Sequence, residues 1–246
     1  MALKASPDDQ AHLLEVQAID TKLRQLDHRA KTLPQLATLA SIATETEQVR
    51  LVTLDVTGRL EDARAELARI ESDVSLVETR ITRDDARLQS SSSVKDVAGL
   101  ESELTGLRRR RDELEEIELA VMERVEELEK EAAATSGASD DLRTRVTEVE
   151  LERDAALAAL ASERSHAQAN RQTIVAKLPV DLMALFDRQQ ARYGFGASLL
   201  RGGVSEASGV RMLENELARV RAAAPDDVLI CPDSQAILVR TNESGI

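Results

Sequence analysis

Arg59-Leu60-Glu61-Asp62-Ala63-Arg64-Ala65-Glu66-Leu67-Ala68-Arg69-Ile70 opens the stretch that decides the fold, and the same pattern continues to Leu88. Apolar residues stand at Leu60, Ala63, Leu67, Ile70, Val74, Val77, Ile81 and Leu88, in alternating steps of three and four, with Asp84 as the one vacancy. A seven-residue repeat of this kind draws a narrow apolar seam along one side of a helix, which is the requirement of a left-handed coiled coil. Charged residues fill the other positions, so the helix needs a partner along one face only.

The partner lies downstream. Ser90-Ser91-Ser92-Ser93 supplies turn and cap chemistry without apolar content, and Ser93-Val94-Lys95-Asp96 reads as a capping box with Asp in the place of Glu. A second ladder follows through Leu100, Leu104, Leu107, Arg111, Leu114, Val121, Val125 and Leu128. Two ladders joined by a short polar turn predict an antiparallel hairpin with its turn near 89–95. Thr135-Ser136-Gly137-Ala138-Ser139-Asp140-Asp141 looks like a break, yet counting in sevens from Leu128 reaches Leu142 and Val149. The count fits a frayed or bulged turn in a continuous arm; a seven-residue loop at 135–141 would also preserve it. Arms of about 80 residues would each extend on the order of 120 Å.

Upstream, Ser6-Pro7-Asp8-Asp9 is a helix start, with a capping serine, a proline suited to the first helical position and two acids at the positive end of the dipole. Leu13, Val16, Ile19, Leu23 and Leu26 mark its stripe, and Leu33-Pro34 predicts a kink or short break. Downstream, Pro179 marks a corner, Val180 to Arg192 forms a shorter helix, and glycines at 194, 196, 202 and 203 begin a different module. Met212, Leu213, Leu217 and Val220 suggest a short helix, and Val228–Ile230 with Ile237–Val239 a β-hairpin. So little apolar material makes a marginal core, which should lean on the helices through Phe186, Tyr193 or Phe195. The expected fold is mainly α: a long antiparallel coiled-coil hairpin over 1–178, followed by a small α+β, degenerate zinc-ribbon-like module over 179–246.

Composition agrees with a thin seam rather than a thick core. Aromatic residues make up 1% of the 246 residues and charged residues 31%. The formal charge of -13 opposes non-specific attraction to phosphate backbones or anionic membranes. Cys231 is the only cysteine, which fits a reducing compartment. With no apolar run of about 18–20 residues and no signal-peptide pattern, membrane insertion is not expected and a cytoplasmic protein is.

Taken with Leu33-Pro34, the stretch Glu113-Leu114-Glu115-Glu116-Ile117-Glu118-Leu119 followed by Val121-Met122-Glu123-Arg124, and Ile237-Leu238-Val239-Arg240, the chain resembles the bacterial long coiled-coil proteins that end in a C4-type zinc ribbon, especially actinobacterial members. The resemblance implies two Cys-x-x-Cys knuckles, whose positions fall on Ser205, Ser208, Cys231 and Ser234. Three of the four are serine, whose neutral hydroxyl offers neither thiolate charge nor sulfur coordination, so no zinc or other cofactor is expected. Relatives of this layout imply flagellar, secretion or transcription-associated partners as a type of role, not as a partner of this chain.

No catalytic centre stands out. Cys231 has no base near it in sequence, and His12, His28 and His166 all fall on the predicted arms. The sharpest basic feature is Arg108-Arg109-Arg110-Arg111, which spans more than one helical turn and is followed closely by Asp112, Glu113, Glu115 and Glu116. The expected function is therefore a non-enzymatic scaffold, adaptor or chaperone-like protein with a protein partner. The alternative is a nucleic-acid-associated or transcription-related binding protein, with Arg108 to Arg111 and the degenerate ribbon supplying contact. A monomer and a homodimer both satisfy the seam.

Overall fold

The computed structural model describes residues 3–245. Five helices, α1 (Pro7–Lys31), α2 (Pro34–Ser90), α3 (Val94–Val175), α4 (Val180–Tyr193) and α5 (Glu214–Ala222), accompany five short strands: β1 (Ala197–Arg201), β2 (Val204–Ser205), β3 (Val210–Arg211), β4 (Leu229–Ile230) and β5 (Ile237–Val239). The chain forms two compact units, Gln35–Leu151 and a second made of Met1–Pro34 with Glu152–Ile246. Among the described residues no helix is long and apolar enough to cross a membrane.

The unit Gln35–Leu151 is an antiparallel helical hairpin. Ion pairs across it fix the direction: Glu45 with Arg145 at 2.9 Å, Arg59 with Glu131 at 3.6 Å, Arg64 with Glu129 at 2.5 Å, Glu66 with Arg124, and Asp85 with Arg108 at 3.2 Å. Partner numbers fall on α3 as they rise on α2. Between the arms, Leu60 and Ala63 pack on Val125 and Leu128, with Leu67 and Ala132 at the margin. Ile70 is buried too, while Val74, Val77, Ile81 and Leu88 are half-buried, as a seam of two helices only permits. The turn is Ser91–Ser93; the Ser93 hydroxyl accepts from the Asp96 N–H at 3.4 Å and starts α3.

Two features of this unit bear on the ladder. Asp84, the gap in the ladder, is completely shielded from solvent. Its carboxylate is covered from its own helix by Arg83 Nε at 3.2 Å and an Arg87 Nη at 3.4 Å. And α3 passes through 135–141 without a break. Ala132, Thr135 and Ala138 are half-buried and Leu142 is buried, so the apolar stripe continues across the weak helix formers. Packing along the seam outweighs roughly 1 kcal/mol of propensity lost at Gly137.

In the second unit α1 ends at Lys31, where the Thr32 N–H and hydroxyl both donate to the His28 carbonyl at 3.0 and 2.9 Å. Pro34 then begins α2, a first position that needs no N–H donor. The strands make one mixed sheet ordered β3-β2-β1-β5-β4, with β1 parallel to β5 and the other pairs antiparallel. The expected hairpin is β4–β5, with Leu229 opposite Leu238 and Ile230 opposite Ile237. Strands β1 to β3 were not legible, since pieces of two to five residues set between glycines carry no alternation worth reading. Ile237 and Val239 join Leu13, Val16, Leu182 and Phe186 in one core. Leu238 turns to the other face, with Leu200, Met212, Leu217, Val220 and Cys231.

The module is thus not self-contained from residue 179. It recruits α1 and the last turns of α3, because a segment this poor in apolar residues cannot enclose a core alone. Phe186 is the aromatic anchor and is fully buried, whereas Tyr193 and Phe195 stay 40% and 37% exposed. Buried polar groups complete the unit. Arg171 donates to Asp20 at 2.6 and 3.1 Å and reaches Asp187 at 3.6 Å, tying α3 to α1 and α4. The Arg240 guanidinium donates to the carbonyls of Val220, Ala223, Ala224, Pro225 and Asp227, satisfying acceptors left over where α5 ends.

Candidate functional site: the ribbon positions and the groove beside them

Ser205 ends β2 and Cys231 follows β4, and the sheet brings both inside with no solvent exposure. The Ser205 hydroxyl lies 2.9 Å from that of Ser198 on β1, which also accepts from the Ala207 N–H at 2.9 Å. Burial pushes the Cys231 thiol up, but hydrogen bonds from Ser205, from the backbone and hydroxyl of Ser234 and from the backbone at Asp233 outweigh it, leaving the thiol below its ordinary value. Ser208 stays apart: its hydroxyl donates to the Ser205 carbonyl at 3.4 Å and accepts from the Val210 N–H at 3.2 Å.

Of Ser205, Ser208, Cys231 and Ser234, all but Ser208 therefore meet, held by hydroxyl, thiol and backbone hydrogen bonds. This set does not fit zinc. It offers one thiol and three neutral hydroxyls already engaged within the protein, and among the described residues no three His, Cys, Asp or Glu side chains gather where an ion could bind. What the arrangement does chemically is cross-link β1, β2 and the β4–β5 turn.

The four arginines are turned toward acids of the same hairpin. Arg108 pairs with Asp85 across the arms, Arg109 and Arg110 with Glu113, and Arg111 with Asp112 and Glu115. Arg111 is half-buried at its seam position, with its stem along the helix pair.

A groove of about 640 Å³ opens between α1 and β1, a feature that sequence reading missed. One wall is the α1 face through Leu14, Gln17, Ala18, Thr21, Lys22 and Gln25. The other comprises Phe195, Ala197, Ser198 and Leu199, with Glu206 and Ala207 at the end. Gln17 builds the floor: its Oε1 accepts from the N–H groups of Gly196 at 2.7 Å and Ala197 at 3.3 Å. Arg24 stacks over Phe195, 5.9 Å from the ring centre, and donates to the Gly194 carbonyl at 3.0 Å. A signal was available for Gln17, because it shares the inward face of α1 with Leu13, Val16 and Asp20; its partner at Gly196, far along the chain, was not.

A helical hairpin joined in sequence to a small mixed-sheet module defines the class of protein. The chain belongs to the CT398-like coiled coil hairpin domain family, whose model matches residues 16–194. It is 35% identical over 241 residues to uncharacterized protein Rv2229c of Mycobacterium tuberculosis, a match covering 97% of this chain and 98% of that one. A solved chain from Mycobacterium smegmatis is similar at a TM-score of 0.86 and 35% identity, covering 97% of this chain and all of that one. CT398 from Chlamydia trachomatis shares the fold at a TM-score of 0.66 and 15% identity, with 95% and 98% of the two chains covered.

Proposed function

We propose that this protein is a non-enzymatic scaffold or adaptor that works by binding another protein, and that it does so in the cytosol, where a lone Cys231 stays reduced. One observation carries the reading. The polar groups that could have served chemistry or nucleic-acid contact are spent on the protein itself, while an apolar groove lined by Leu14, Phe195 and Leu199 is left open. Interaction surfaces have this character, with an apolar centre and charge at the rim. Nucleic-acid association through Arg108 to Arg111 is the weaker alternative, because each guanidinium already has an acidic neighbour that offsets its field.

Proximity labelling with the full chain in its native host, repeated after nuclease treatment, tests this. The expected result is a small, reproducible set of protein neighbours that survives the nuclease. Neighbours that vanish with the nucleic acid would transfer the assignment to the alternative; no enrichment over an unrelated cytosolic protein would end the scaffold reading.

A further inference from the structure

We infer that the α1–β1 groove docks an acidic amphipathic helix of a protein partner, a proposal that rests on the scaffold reading and names its surface. The backbone groups that edge the groove are already engaged. The Gly194 carbonyl is taken by Arg24, the Gly196 and Ala197 N–H groups by Gln17, the Leu199 carbonyl by the Glu206 N–H at 3.0 Å, and the Ala207 N–H by Ser198. Strand β1 is interior to the sheet, paired on both edges by β2 and β5. An extended peptide laid here would bury backbone N–H and carbonyl groups with nothing to bond to. A helix satisfies its backbone internally and needs only apolar side chains to enter the groove.

The dimensions and charges agree. From Leu14 to Gln25 the α1 wall runs about 16 Å, or three turns, which matches an apolar stripe at i, i+3/i+4 and i+7 on a partner helix. Leu14, Leu199 and the half-exposed Phe195 supply the apolar contact, and Ala18 leaves room for a knob between them. At the rim, Glu206 shares Arg201 with Glu243, at 3.0 and 2.7 Å, which leaves one negative charge over the three groups, whereas Lys22 has no ion-pair partner among the described residues. Arg24 adds a second positive charge over the Phe195 ring. Lys22 and Arg24 together outweigh the one negative charge left at Arg201, so the balance of the groove is positive and the occupant carries Asp or Glu beside its apolar stripe. The net charge of -13 repels such a partner at a distance, which makes contact at Lys22 a source of selectivity rather than of steering.

The test places a photo-crosslinking amino acid at exposed Ala18 of the full chain in the native host, with one at Ala98 on α3 as the control position. The expected result is a discrete Ala18 adduct whose cross-linked segment, read by mass spectrometry, is an acidic amphipathic helix. Lys22→Glu should lower its yield about tenfold or more, with melting of the protein unchanged. The inference is overturned by no adduct above the Ala98 control, by an adduct to a second copy of this chain, by a cross-linked segment without acids, or by a yield indifferent to Lys22→Glu. Partners found by proximity labelling without an Ala18 adduct would remove the groove and leave the scaffold standing.

Discussion

Replacing Gly196 by alanine should unfold the sheet-bearing unit at markedly lower denaturant. A Cβ at this position would lie 2.5 Å from two carbons of the Phe186 ring and 2.7 Å from a third. Comfortable carbon–carbon contact is about 3.5–4.0 Å, so something must retreat by about 1 Å. The ring has no room to do so, being fully buried among Leu13, Leu182, Met183 and Ile237. The backbone is held as well, since the Gly196 N–H is bound to Gln17 at 2.7 Å. Overpacking by a methyl group costs about 1–3 kcal/mol, and a rigid neighbour on both sides puts this case near 3. Urea unfolding followed by tyrosine emission is a local assay, because the chain has no Trp and its single Tyr, Tyr193, lies in this unit. The midpoint should fall by about 1–2 M. Phe186→Leu destabilises by itself but removes the collision, so the double variant should be more stable than the two single effects added together by about 1 kcal/mol or more. Strict additivity, or a Gly196→Ala midpoint indistinguishable from the parent, would refute the reasoning.

Three further outcomes are expected. Gln17→Leu strips the acceptor from two buried N–H groups and should cost about 2–4 kcal/mol in the same tyrosine assay, whereas Gln25→Leu on the exposed rim should change little. Hydrogen bonding from Arg83, against the opposing effect of desolvation and with help from Arg87, holds the Asp84 carboxyl below its ordinary value. Its contribution is therefore present above the unfolded-state value and lost as pH falls through the lower folded one; melting followed by circular dichroism should find Asp84→Leu no less stable at neutral pH and increasingly favoured in acid. A chelator should leave the tyrosine transition of the parent protein where it was, because hydroxyl and thiol hydrogen bonds, not an ion, join Ser205, Cys231 and Ser234; a downward shift would restore the metal.

The helical pairing was legible because a three-four repeat is a local signal: each seam residue declares its face through neighbours three and four positions away. The same regularity carried α3 through 135–141 against its own weak helix formers. By itself the sequence thus determined two ladders, a serine turn between them and a break at Pro34. The tertiary structure alone decided where the hydroxyls of Ser205, Ser208 and Ser234 would find partners, that Asp84 would be covered by arginines rather than solvated, and that α1 would close the core of a sheet some 180 residues downstream in sequence. Those outcomes depend on contacts between residues far apart in the chain, through Gln17, Asp20, Arg171 and Gly196. No periodicity records them, because each is a single pairing fixed only once the chain has come together.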